Sequence, residues 1–322
     1  MKYRITSNSF IFFICTMCMI ILCAPALALS EETGPKVFSD IALFVSKNIR
    51  PYIEAADSIR SRFDQALDAD VQVFMLDRYA DKAKSDLADR LVAEGNIGLV
   101  VAVGPEAAAF VWKIFTDERI LKIYSIILNP QKVIDFKASV QGISLNIPPF
   151  HQLKMMQQGF PSVKRIGIFY DPANNAGFFN EAVVAASTLG LQIVSLSVSS
   201  KKQIPKRLQQ CWQAVDCIWL IPDRTVISES IALHIIKQAV LNKVPVVGYN
   251  QFFYESGAAM AFVFDYKALG RQTADLAIDM LRHKDVVNNR VPVFQTWLNK
   301  AVLEKLEIVF SKPLISSITF GP

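Results

Sequence analysis

The stretch Leu91–Lys113, LVAEGNIGLVVAVGPEAAAFVWK, carries the fold. A helical pattern ends at Gly95-Asn96. Gly98–Val103 follows as an apolar run, half of it valine, with no polar alternation, which is how a strand buried on both faces of a parallel sheet reads. Gly104-Pro105 stops that strand, and proline suits the first turn of the helix that follows. A further strand, Lys122–Ile127, then runs into the polar loop Asn129-Pro130. The whole unit recurs. Leu208–Ser230, LQQCWQAVDCIWLIPDRTVISES, is again helix, strand, polar loop and helix start, followed by a strand ending in VVGYN at Asn250.

Outward from these two units the same alternation continues. Further strands are expected at Ile41–Val45, Val71–Leu76, Arg165–Tyr170, Gln192–Leu196, Cys217–Ile221, Val244–Gly248 and Ala259–Val263. Stretches of helical length lie between them, such as Tyr52–Leu67, Lys82–Glu94 and Glu229–Leu241. Strands alternating with amphipathic helices imply βαβ units. The fold class is therefore α/β, with two Rossmann-like lobes whose parallel sheets are flanked by helices. Gly142, Pro148 and Pro149 mark Val140–Pro149 as a crossing between lobes rather than a core strand. A cleft is expected between the lobes, beyond the carboxyl ends of the strands.

The first residues speak of export. Lys2 and Arg4 precede Phe10–Ala24, FIFFICTMCMIILCA, and Ala26 and Ala28 fit a small-residue cleavage site. This is the form of a cleaved secretory signal peptide, residues 1–28, and its apolar run is short against the roughly 20 residues of a bilayer span. The expected location is the periplasm. The rest of the 322 residues is enough for two domains of ordinary size. The net charge of +5 falls by two when Lys2 and Arg4 leave, and no long basic tract points to nucleic acid. Cys15, Cys18 and Cys23 leave with the leader. Cys211 and Cys217 remain, flanking a helix-to-strand turn; they can pair in an oxidising compartment or serve as two small buried hydrophobes. The three histidines lie far apart in unlike contexts, so no metal and no cofactor is expected.

Candidate ligand residues stand in the loops after the strands. In the first lobe these are Ser46, Gly104, Pro105, Glu106 and Asn129; in the second, Asn174, Asn175, Asp223, Arg224, Thr225 and Asn250. Asp265 follows the strand that turns back toward the first lobe. Amides, hydroxyls and an acid–base pair suit hydrogen-bonded recognition of a small polar molecule. Helices expected to start at Pro105 and Thr225 would turn backbone N–H groups toward an anion. The same Asn and Asp residues are equally suited to capping helices and closing turns. Tyr170, Tyr249, Phe252, Phe253 and Tyr254 can form an aromatic wall over a ligand or pack in the core. No G-x-S-x-G elbow, H-E-x-x-H or P-loop is present, so no enzyme is expected.

The segments LVVAVGPEAAA, NPQKVIDFKASVQGIS, PSVKRIGIFYDPANNAG and IWLIPDRTVISES resemble the substrate-binding proteins of ABC transporters related to the tryptophan/tyrosine-binding type. VPVVGYNQFFYESGAAMAFVFDYKALGRQTADLAIDMLR and VPVFQTWLNKAVLEKLEI extend the resemblance over nearly all of the chain after the leader. It implies the type I periplasmic-binding fold, with lobes joined by three crossings near Val140–Pro148, Phe262–Asp265 and Asn289–Phe294. Residues 36–145 and 265–290 would form lobe one, residues 146–264 and 291–310 lobe two, and residues 311–322 a tail. It further implies a monomer that captures a small polar or anionic solute and delivers it to a permease and ATPase complex in the inner membrane. A sensor presenting its bound state to a membrane receptor or kinase is the alternative. The candidate loops match the family's ligand-contacting loops. The sequence departs from the family at Glu106, at Gly248-Tyr249-Asn250 and at Arg224; the last implies an anionic ligand group in place of the α-amino group that an acid would hold.

Overall fold

A computed structural model describes residues 40–135, 140–226, 228–282, 290–308 and 318–322. The expected leader, residues 1–28, and the start of the third crossing at Asn289 lie outside the described residues.

The first half runs β1 (Asp40–Val45), α1 (Arg50–Ala66), β2 (Asp70–Met75), α2 (Asp81–Glu94), β3 (Ile97–Val103), α3 (Pro105–Ile114), β4 (Leu121–Ile127) and β5 (Gln141–Ser144). These strands form one sheet in the order β2-β1-β3-β4-β5, with every pairing parallel. All seven residues of β3 are buried, as its unbroken apolar run requires of a central strand. Each valine or leucine buried there contributes about 1.5–3 kcal/mol over leaving it in water.

The second half runs α4 (Pro149–Gly159), β6 (Arg165–Tyr170), α5 (Pro172–Thr188), β7 (Gln192–Ser197), α6 (Ile204–Cys211), β8 (Cys217–Leu220), α7 (Glu229–Leu241), β9 (Val246–Gly248), α8 (Gln251–Glu255), β10 (Met260–Val263), α9 (Tyr266–Leu281), β11 (Gln295–Leu298), α10 (Lys300–Lys305) and β12 (Ile318–Phe320). Its sheet has the order β12-β11-β10-β9-β8-β6-β7 and is parallel except where β11 runs against β10. The two parallel-dominated sheets flanked by helices are the expected α/β architecture.

Three strands differ from expectation. Val140–Pro149, expected as a crossing rather than a core strand, contains the edge strand β5, which pairs with β4 from Gln141 to Ser144. A Cβ on Gly142 would collide with the Tyr124 ring and carbonyl, so only glycine lets the two strands close up there. β11 was not expected. Ile318–Phe320, expected within a tail, lies along β11 as β12.

α9 returns to the first sheet. Leu269, Ala274, Leu276, Ala277 and Ile278 share a core with Ile41, Leu43, Val101 and Ile59. Inside it the fully buried hydroxyls of Ser125 (β4) and Thr273 (α9) meet at 2.7 Å. Phe264, between β10 and α9, packs against the cores of both sheets. Cys211 and Cys217 are free and buried; burial pushes the Cys211 thiol up to about 11 and the Cys217 thiol further in the same direction. Among the described residues no helix is long and apolar enough to cross a membrane.

Candidate functional site

A cavity of ≈ 500 Å³ opens between the carboxyl ends of the two sheets. The first sheet contributes Asn129 and Lys132 after β4, and Ser144 and Asn146 at the end of β5, with the Tyr124 ring beside Gly142. From the second come Asn174, Asn175, Phe178 and Glu181 in the first turns of α5, Ile221-Pro222 after β8, and Tyr249 after β9. The crossing Ile147–Pro149 with Gln152 lines it as well, as does Arg290 on the return crossing. Burial pushes the Tyr249 phenol up to about 12, so it stays neutral at physiological pH.

Each polar group is held by its own local structure. Asn129 has left-handed backbone (φ 52) that asparagine tolerates; its N–H donates to Asn146 Oδ1 at 3.1 Å, and Asn146 Nδ2 donates to Asn129 Oδ1 at 3.3 Å. On the second sheet Asp171 caps α5 by accepting from the Ala173 N–H. Its other oxygen accepts from Thr225 Oγ1 at 2.7 Å and Asn174 Nδ2 at 3.1 Å. These donors hold the Asp171 carboxyl below its ordinary value, Thr225 contributing most. Asp223 is buried and accepts from four donors: Asp171 N, Asn175 Nδ2, Thr225 N and Val226 N. The return crossing is fastened by Gln272 of α9, which donates to the Val291 carbonyl and accepts from the Val293 N–H. Arg290 Nη2 donates to Asp279 of the same helix at 3.0 Å.

Of the residues singled out in the sequence, Asn129, Asn174 and Asn175 line this cavity. Asp223 and Thr225 stand behind it: Asp223 holds the Asn175 amide, and Thr225 holds the Asp171 carboxylate that accepts from Asn174. Ser46, Gly104, Pro105 and Glu106 form the start of α3 instead. Ser46 Oγ accepts from the Ala107 N–H at 2.8 Å, Gly104 takes φ 90 beside Ser46 and Tyr52, and Pro105 opens the helix. Glu106 pairs with Lys47 at 2.5 Å. Burial raises its carboxyl, but the hydrogen bond and charge of Lys47 outweigh that and hold it low. Asn250 and Asp265 are helix caps, accepting from the N–H groups of Phe253 and Ala268.

The helix expected at Thr225 begins at Glu229, because residues 224–226 form a turn closed by Asp223. Arg224 is exposed on that turn and does not line the cavity. The expected aromatic wall also divides. Tyr249 lines the cavity, Phe253 is buried, and Tyr170 is buried against Phe179 at 4.3 Å. Tyr124, Lys132, Phe178, Glu181 and Arg290 were not anticipated. Phe178 and Glu181 had a readable signal, since they follow Asn174 by four and seven residues on one helix. Among the described residues no group of His, Cys, Asp and Glu side chains is placed to hold a metal ion.

The family model described as ABC transporter substrate binding protein matches residues 63–319. A tyrosine-binding protein of Clostridioides difficile (strain R20291) is 22% identical over 182 residues, 56% of this chain and 50% of that protein. The chain thus spans about half the length of the curated relative it matches. Among solved structures, the ligand-free, open structure of a substrate binding protein with adhesive properties from Clostridium difficile gives a TM-score of 0.70 at 17% identity, covering 88% of this chain and 99% of that one. An ABC domain in complex with L-Trp from Streptococcus pneumonia gives 0.54 at 20% identity, covering 87% and 99%. A conserved domain protein from Vibrio cholerae gives 0.54 at 20% identity, covering 88% and 99%. All three share the fold described above.

Proposed function

We propose that this chain, which belongs to the family of ABC transporter substrate-binding proteins, captures a small solute between its two lobes and delivers it to an ABC permease and ATPase. The family is one of binding proteins rather than enzymes. The observation that carries the reading is the ≈ 500 Å³ cavity lined from both sheets and from the first and third crossings. Its size suits a small metabolite. A solute touching both walls favours their approach, and closure about the crossings would trap it.

An aromatic amino acid such as tyrosine is the solute class we favour. The relative's name supports it, and so do the rings of Tyr124, Phe178 and Tyr249 around a cavity that also holds Lys132, Arg290 and Glu181. This replaces the sequence expectation of an anion held by Arg224. Export to the periplasm after cleavage at Ala28 rests on Lys2, Arg4 and the apolar run Phe10–Ala24.

Thermal melting with the common amino acids tests the reading. A solute at a hundredfold excess over Kd adds about 2.7 kcal/mol of stability, so a binder should raise the melting temperature plainly. A protein whose melting point moves with no amino acid would not be an amino-acid carrier. N-terminal sequencing of the exported protein should find Leu29 first; an intact Met1 would overturn the leader.

A further inference from the structure

We propose that the cavity has a fixed polarity: the second-sheet wall accepts hydrogen bonds, the first-sheet wall donates them. The solute would then lie across the cleft with its amino group on Asn174 and Asn175 and its carboxylate toward Lys132 and Arg290. The proposal rests on the capture reading above and adds the direction in which the site reads its solute.

The argument begins with the two carboxylates behind the second wall. Asn174 Nδ2 donates to Asp171 Oδ2 at 3.1 Å, and Asn175 Nδ2 donates to Asp223 Oδ2 at 2.7 Å. A carboxylate only accepts, so neither amide can turn over without setting oxygen against oxygen. Each nitrogen is committed inward, and each carbonyl oxygen is the end left for the cavity that both residues line. α5 is kinked at Asn175 (φ −135, ψ 24), where its side chain reaches Asp223. Glu181, further along α5, adds an acceptor to the same wall.

The start of α5 would ordinarily offer N–H groups to an anion. Here they are spent. Pro172 has none, Ala173 N donates to Asp171 Oδ1, and the N–H groups of Asn174 and Asn175 donate to the Asp171 carbonyl. No donor of that first turn is free to meet a carboxylate.

The opposite wall is arranged the other way. Asn146 uses its oxygen on the Asn129 N–H and its nitrogen on Asn129 Oδ1, which leaves Asn129 Nδ2 as a donor. Lys132 Nζ has no partner among the described residues, and Arg290 commits Nη2 to Asp279 while retaining further donors of its guanidinium. Arg290 sits on the crossing clamped by Gln272, so a carboxylate drawn to it engages the element about which the lobes would move.

Calorimetry on the full chain with three probes tests the polarity: L-tyrosine, 3-(4-hydroxyphenyl)propionate, which lacks the amino group, and tyramine, which lacks the carboxylate. The unmodified protein should prefer L-tyrosine over each analogue by about tenfold or more. Asn174→Ala should erase the preference over the propionate and keep that over tyramine. Lys132→Ala should do the reverse. Both side chains are exposed, and melting curves check that the variants fold. The crossed pattern, or variants that keep both preferences, would overturn the polarity while leaving capture intact. An unmodified protein that binds none of the three probes would overturn tyrosine as the solute, and this proposal with it, while the melting series with the other amino acids decides the broader reading.

Discussion

Asn175 and Asp223 are 48 residues apart in the chain, and their side chains meet at 2.7 Å. The bond ties the first turns of α5 to the loop after β8, and it fixes which end of the Asn175 amide faces the cavity. Asp223 had the appearance of a ligand residue in the sequence; its oxygens are filled from within the lobe.

Asp223→Ala should therefore cost stability as well as binding. It strips a buried acceptor from four donors, and each buried donor left unpaired costs about 1–3 kcal/mol. Water reaching part of the loop reduces the sum, so a loss of about 2–4 kcal/mol is expected from urea unfolding. A variant as stable as the parent would show that the network contributes nothing.

Thr225 contributes most to the depression of the Asp171 carboxyl. A folded-state value below the unfolded one, about 3.9, means that the unfolded chain takes up the proton first. The stabilisation is then present above about pH 4 and lost as pH falls through the folded value. Thr225→Val should flatten the fall of unfolding free energy on the acid side, measured as the difference from the parent over the same pH series. Parallel curves would refute the linkage.

Gly142→Ala should harm both fold and cavity. The new methyl collides with the ring and carbonyl of Tyr124, and both residues line the cavity. Overpacking of this kind costs about 1–3 kcal/mol. Solute affinity should fall in parallel, because the Tyr124 ring must move. Unchanged melting and affinity would mean that the strands part without cost.

The Ser125–Thr273 hydroxyl pair fastens α9 to β4 in a fully buried setting. Thr273→Val should cost about 1–3 kcal/mol by leaving Ser125 Oγ unpaired, and Ser125→Ala added to it should recover part of that loss. A double-mutant cycle with no coupling energy would contradict this.

Arg224→Ala is expected to leave affinity for L-tyrosine within about twofold, because the side chain stands outside the cavity. A tenfold loss, read by calorimetry on a variant that melts normally, would restore Arg224 to the site.

The amino-acid order by itself determined the α/β class, the doubled unit and most elements to within a residue or two. Arg165–Tyr170 has the expected ends, and Gly98–Val103 differs by one residue at its start. Buried parallel strands announce themselves as apolar runs, and proline and Asx residues mark helix starts, because these signals are local to the backbone. The short strands β5, β11 and β12 carry no such run; they exist because a neighbouring strand presents hydrogen-bonding groups to them. The site divides in the same way. Loop position after a strand was enough to find Asn129, Asn174 and Asn175. It could not separate these from Asp223, whose oxygens are filled from within the lobe, or from Asn250 and Asp265, which cap helices, nor could it find Arg290 on a return crossing. For Asn175, Asp223 and Thr225, which polar atom remains free depends on partners 48 to 54 residues away, and only the tertiary fold brings those partners together.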